Sequence, residues 1–304
     1  MLSPNPLYPG ARVALLCASS AIPEGRLEPA VAAIRALGLE PVVFPSCTAL
    51  HGYFAGDDIL RAGDLNRAFT DPSIAGILCA RGGYGAHRLL PLLNLPEIAA
   101  HPKFFSGYSD VTALHTVFNQ DCGFVTYHTV MPATEYYEPV DDYTMSYLRR
   151  ALFGALTGPL KNPAGQPLQT LVGGRVTAHL CGGNLSLLAA SLGTPWEIDT
   201  CGKLLFLEDI GEDTYRIDGM LTQLRNAGKF RDCAGVLLGA WTDCPPENPD
   251  RALLLPDIFA ELIVPAGKPT LAGLACGHTL PTLSLPLGGV VSMDADAQTL
   301  EVLT

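Results

Sequence analysis

Basic residues are scarce in this chain: 19 Lys and Arg stand against 30 Asp and Glu in 304 residues, a formal net charge of −11 at pH 7. That shortage excludes a nucleic-acid groove, which needs clustered cations. It leaves small substrates open, because a local pocket can oppose the overall sign. Long apolar runs are missing as well; none approaches the ~18 residues of a membrane helix. Met1–Pro6 has no basic n-region and Val13–Ala18 is too short for a signal h-region, so a soluble, cytoplasmic protein is expected. No Cys-x-x-Cys pair occurs. The nine cysteines are an odd number, and Cys17, Cys79 and Cys276 sit inside apolar runs as core thiols of a reducing compartment. His179/Cys181 and Cys276/His278 could together furnish four zinc ligands, but without the spacing of closed zinc sites. No repeat or low-complexity segment stands out.

What is present is punctuation: 31 Gly and 25 Pro divide a chain that is 48% hydrophobic and long enough for two domains. In the first half, short apolar runs alternate with helical patterns. Val13–Ala18, Pro41–Phe44 and Ile74–Cys79 read as strands. Arg26–Leu37 reads as a helix closed by Gly38, and Ser109–Asn119 carries apolar residues at helical spacing. Strands separated by helices imply a doubly wound parallel sheet over 1–153. The stretch 154–170, rich in Gly and Pro, reads as a linker. Residues 171–304 mix strands and helices without a clean βαβ rhythm, which predicts a smaller α+β domain.

Three residues occupy positions where chemistry belongs in such a fold. Ser109 follows the apolar run ending at Gly107, where a strand gives way to a helix whose amides could hold an oxyanion. Glu208 closes Leu204–Leu207, and His278 follows Gly277. A serine, an acid and a histidine at strand ends suggest a nucleophile, a base and its orienter. Each has a plainer reading: Ser109 as a helix N-cap, Glu208 as part of a solvated or cation-binding acidic loop through Asp213, His278 as a turn histidine. His128 is the rival base, whereas His115, six residues into the helix, should point away from the serine. The glycines of Arg81-Gly82-Gly83-Tyr84-Gly85 let backbone approach a ligand and could form one wall of an oxyanion hole. Position 111 is Val, so the Gly-x-Ser-x-Gly elbow of α/β-hydrolases is absent.

Taken together, Arg81–Gly85 with Arg88-Leu89-Leu90, Gly107–Asp110, Gly182–Leu185, Leu207-Glu208-Asp209 with Tyr215–Asp218, and Gly277-His278 resemble, in order, the LD-carboxypeptidase family of serine peptidases. That family includes muramoyltetrapeptide carboxypeptidases and microcin-immunity peptidases. The resemblance implies Ser109 as nucleophile, His278 as general base, Glu208 as its orienter, and the backbone amides of Gly83 and Asp110 as the oxyanion hole. It implies no metal and no cofactor. It also implies an amino-terminal domain like a class I glutamine amidotransferase, a carboxy-terminal domain supplying Glu and His, and a cytoplasmic homodimer. The expected substrate is a small peptide or muropeptide: murein tetrapeptide, losing its terminal D-Ala during cell-wall recycling. A microcin-immunity-type hydrolase acting on a peptidyl nucleotide is the alternative, and a two-lobed small-molecule binding protein is the non-enzymatic one. Arg81, Gly82 and Trp196 are the candidate substrate contacts, with Trp241 as a second stacking platform.

Overall fold

The computed structural model describes residues 1–246 and 248–304. Their backbone divides into two compact units: Met1–Leu156 with Ser284–Gly288, and Thr157–Leu283 with Gly289–Thr304. Among the described residues no helix is long and apolar enough to cross a membrane.

In the first unit the chain runs β1 (Arg12–Leu16), α1 (Leu27–Ala36), β2 (Glu40–Val43), α2 (Asp58–Thr70), β3 (Gly76–Cys79), α3 (Leu95–Ala100), β4 (Phe104–Gly107), α4 (Thr112–Gln120), β5 (Thr126–His128) and α5 (Asp142–Leu152). These strands form a sheet of order β5-β4-β3-β1-β2, all parallel. A late strand at Leu285–Leu287, β12 in chain order, pairs antiparallel with β5 at the edge. Alternation along β4 places its two aromatic residues on opposite faces. Phe104 joins the cluster formed with Val13, Leu15, Ala30, Ile34, Leu148 and Leu152, beneath α1 and α5. Phe105 packs on Phe69 of α2 and Phe118 of α4, with ring centroids 6.1 and 5.0 Å away. Both faces are therefore covered by helices, as a parallel sheet requires. The α1 boundary fits its sequence: buried Ala30, Val31 and Ile34 repeat at helical spacing, and Gly38 lies just beyond at φ +86°.

The second unit contains β6 (Gly158–Leu160), β7 (Gln169–Val172), β8 (Arg175–Asn184), α6 (Leu185–Ser191), β9 (Leu204–Ile210), α7 (Thr214–Asn226), α8 (Lys229–Asp232), β10 (Gly235–Thr242), α9 (Leu255–Leu262), β11 (Thr270–Ala272), β13 (Val290–Asp294) and β14 (Thr299–Val302). Its sheet has the order β6-β14-β13-β8-β9-β10-β11-β7. Strands β8-β9-β10-β11 are parallel, with helices in each connection, and the strands flanking them on both sides pair antiparallel. A βαβ rhythm is thus present where the sequence suggested none. The first half of β8 is partly exposed and β11 has only three residues, so neither reads as a full buried run. The Gly/Pro-rich stretch expected as a linker carries β6 and the start of β7, and Ser284–Gly288 groups with the first unit despite its late position.

Candidate active site

Ser109 stands two residues beyond the end of β4, half-buried, in the left-handed conformation at φ +63°. A non-glycine residue pays steric strain there, on the order of 1–2 kcal/mol, and keeps that shape only when its surroundings dictate it. It is not a helix cap: the short 3-10 turn Ser109–Val111 and α4 are preceded by Tyr108 and Val111, neither making a side-chain cap.

The surroundings that dictate it can be named. Buried Tyr108 donates its hydroxyl to Glu135 Oε1 at 2.6 Å, and Glu135 Oε2 accepts the Met131 amide at 2.6 Å. On the other side, buried Asp110 accepts the Ser19 hydroxyl at 2.6 Å and the Ala86 amide at 2.7 Å, both through Oδ2. Beneath the turn, the Gly107 carbonyl accepts from the Thr129 amide at 3.1 Å and from His115 Nε2 at 2.9 Å. His115 Nδ1 lies 2.8 Å from Thr126 Oγ1. A carbonyl only accepts, so Nε2 carries the hydrogen and Nδ1 accepts from the threonine. His115 therefore holds the serine's turn rather than the serine hydroxyl.

The Gly-rich loop meets the same turn. A Cβ on Gly82 would lie 2.9 Å from Ser109 Cβ and 3.1 Å from its Oγ. One on Gly83 (φ +109°) would fall 2.3 Å from Ser20 Oγ. Only glycines bring this backbone so close. The Ser20 amide donates to the Gly82 carbonyl at 3.2 Å and its hydroxyl accepts the Tyr84 amide at 3.1 Å, which fixes the loop. Gly82, Gly83, Ser109 and Asp110 thus come together in one unit. Arg81 is half-buried and donates Nη1 to the Ala21 carbonyl at 2.5 Å, so part of its guanidinium holds backbone. His128 is buried in β5 with its ring 5.3 Å from that of Tyr108.

The second unit brings Glu208 and His278 together. Glu208 is fully buried near the end of β9, and its Oε2 lies 2.7 Å from His278 Nδ1 and 3.2 Å from the His278 amide nitrogen. A carboxylate oxygen accepts from both, which places a hydrogen on Nδ1 and leaves Nε2 of the neutral ring as a base. Gly277 permits the approach, since a Cβ there would fall 2.5 Å from Glu208 Oε2. The other acids of the run have separate employment. Asp209 accepts from Asn184 Nδ2 (2.9 Å), the Ser186 amide (2.9 Å) and hydroxyl (2.6 Å), and the Ile210 amide (2.8 Å). Asp213 caps α7, and Glu212 lies 3.9 Å from Arg216. Among the described residues no three His, Cys, Asp or Glu gather as metal ligands. Trp196 is half-buried in the turn beyond α6. Trp241 is half-buried, its ring tilted against Phe259 at 5.1 Å between centroids and packed on the unit's core.

The comparisons with known proteins agree over the length of the chain. The profile of the LD-carboxypeptidase N-terminal domain matches residues 13–129, and that of the C-terminal domain matches 177–293. The chain belongs to the LD-carboxypeptidase family. A probable murein peptide carboxypeptidase of Bacillus subtilis (strain 168) is 37% identical over 300 residues, covering 97% of this chain and 92% of the relative. The murein tetrapeptide carboxypeptidase of Pseudomonas aeruginosa is 31% identical over 290 residues, 94% of each. Among solved structures, the muramoyltetrapeptide carboxypeptidase from Oxalobacter formigenes superposes with a TM-score of 0.82 at 25% identity, over 96% of this chain and 97% of that one. The microcin C7 self-immunity protein in its wild-type apo state gives 0.90 at 23% identity over 99% and 98%, a likeness of fold. This family member is accordingly a serine-type hydrolase, and its fold combines a parallel-sheet unit with a second, strand-rich one.

Burial also makes the turn pH-sensitive. Desolvation pushes His115 down to about 4 from an ordinary 6.5. Between those values the unfolded chain binds a proton that the folded chain does not, so stability is full above pH 6.5 and falls as pH drops toward 4. The loss at pH 4 should be about 3 kcal/mol. Urea titrations across this range should show a shallower decline in His115→Gln than in the wild type; equal declines would remove His115 as the cause.

Proposed function

We propose that this protein is an L,D-carboxypeptidase that removes the terminal D-Ala from murein tetrapeptide in cell-wall recycling. The observation that carries the reading is Ser109, held left-handed at the end of β4 with the glycine loop against it. In this mechanism His278 Nε2 takes the Ser109 proton as Oγ attacks the carbonyl preceding D-Ala. Glu208, bonded to Nδ1, fixes the tautomer and steadies the imidazolium that forms. The amides of Gly83 and Asp110 receive the developing oxyanion, worth about 10²–10³ in rate per donor. The imidazolium then protonates the leaving D-Ala amine, and water resolves the acyl-enzyme by the same route. Arg81 uses its remaining donors on the terminal carboxylate, and Trp196 lies along the peptide. Family membership supports a homodimer, and nine cysteines without a disulfide suit the cytoplasm.

The test is incubation with murein tetrapeptide, following free D-Ala by chromatography. Release is expected, together with stoichiometric labelling of Ser109 by a serine-directed phosphonate. A folded protein that releases no D-Ala and takes no label is not this enzyme; one that takes label but spares the tetrapeptide has a different acyl substrate.

A further inference from the structure

Two tyrosines stand out on the first unit because they are exposed yet held. Tyr53 is 63% exposed and Tyr84 56%, and their ring centroids are 5.9 Å apart. Both lean on Phe54, itself buried, at 4.4 and 5.9 Å. Phe54 in turn carries two guanidiniums, Arg61 at 4.6 Å and Arg88 at 4.8 Å from its centroid, both tied to Asp58. The backbone beneath is pinned: the Ala21 amide donates to the Tyr53 carbonyl, His51 and Phe54 exchange hydrogen bonds, and Ser20 holds the Tyr84 amide. Leaving two aromatic faces in water on a fixed scaffold gains nothing for folding, since each ring could bury on the order of 150 Å² or more. It is what a stacking platform requires.

Its location identifies the occupant. Tyr84 follows Gly82 by two residues, so its Cα lies within about 7 Å of the glycine that packs on Ser109. In murein the stem peptide is joined through its amino end to a muramic acid sugar. The three residues before the scissile bond span on the order of 10 Å when extended. A substrate acylating Ser109 would therefore carry its sugar to the distance the tyrosine side chains reach. A pyranose ring offers a face of C–H groups of partial positive charge, complementary to the negative face of an aromatic ring. Arg88, with its side chain 50% exposed, stands beside them as a donor for ring hydroxyls.

We propose that Tyr53 and Tyr84 form a sugar-stacking subsite, which makes the sugar-bearing muropeptide the preferred substrate over the free peptide. The inference rests on the carboxypeptidase reading, and two measurements separate them. The first is the ratio of kcat/KM for D-Ala release from the disaccharide tetrapeptide and from free tetrapeptide. Wild type should favour the former about tenfold, and Tyr53→Ala and Tyr84→Ala should each bring the ratio close to one. Tyr53→Phe, which keeps the ring, should retain it. The second is calorimetric binding of the same two ligands to Ser109→Ala, which needs no turnover and should give the same tenfold preference in Kd. No D-Ala from either substrate, with the binding preference intact, sinks the carboxypeptidase reading and leaves the subsite standing. Equal affinity for the two ligands, or a ratio unmoved by both alanine variants, overturns the subsite. So does a shift of Tyr53→Ala to monomer in sedimentation, which would make the patch an interface between copies, or protection of the tyrosines by AMP in place of the disaccharide.

Discussion

Ser109→Ala is expected to abolish D-Ala release, with a fall in kcat on the order of 10⁶, the scale seen when the serine of such a catalytic unit is removed. The fold should be indifferent. The hydroxyl caps no helix, and alanine takes the same left-handed backbone at similar cost. His278→Ala should lose about as much activity, and the double variant no more than either single one, because the two act on one proton. Ser109→Gly sharpens the test. It removes the Cβ that makes φ +63° unfavourable, so the melting temperature should rise, by about 1 kcal/mol of stability, while turnover vanishes. Activity lost together with stability in Ser109→Gly would show that the left-handed serine is no strained nucleophile. Wild-type turnover in Ser109→Ala would end the serine mechanism outright.

That experiment turns on a conformation no residue pattern announces. The sequence places a serine after an apolar run and a glycine, and there an N-cap and a nucleophile look alike. They part only through the bonds to Gly107, Tyr108 and Asp110, whose partners lie 8 to 91 positions away. The first sheet was legible because buried parallel strands read as unbroken apolar runs, as in Val13–Ala18 and Ile74–Cys79. Helix α2 escaped notice, since it buries Arg61 and Asp64 beside Leu65 and Phe69 and so blurs the apolar stripe. The parallel centre of the second sheet was hidden by the half-exposed start of β8 and the brevity of β11. The tyrosine pair could not have been found by spacing: Tyr53 and Tyr84 are neighbours only because Ser20, Ala21 and the glycine loop fold onto one another. Among the four acids of 208–213, spacing could not single out one, whereas strand geometry does. Glu208 and Asp209 are successive residues of β9 and must point to opposite faces. One face holds His278, the other Asn184 and Ser186.

This opposition sets up the second large effect. Glu208→Gln should lower kcat by up to about 10⁴-fold, since a neutral amide cannot stabilise the imidazolium that forms on His278. Stability should drop only modestly, by about 1–3 kcal/mol, as the amide's oxygen can still accept from the His278 backbone while its NH₂ is buried where Glu208 Oε1 makes no hydrogen bond among the described residues. Asp209→Ala should behave in the reverse sense. It strips the acceptor from four donors, three of them on the Asn184–Ser186 corner that starts α6, so about 3–5 kcal/mol of stability should go. Turnover per folded molecule should hold up far better than in Glu208→Gln, because Asp209 does not touch the histidine. Measuring kcat and unfolding free energy on both variants separates the two neighbours. If Glu208→Gln stays within tenfold of the wild type while Asp209→Ala loses the larger factor in kcat, the orienting acid has been assigned to the wrong face of β9.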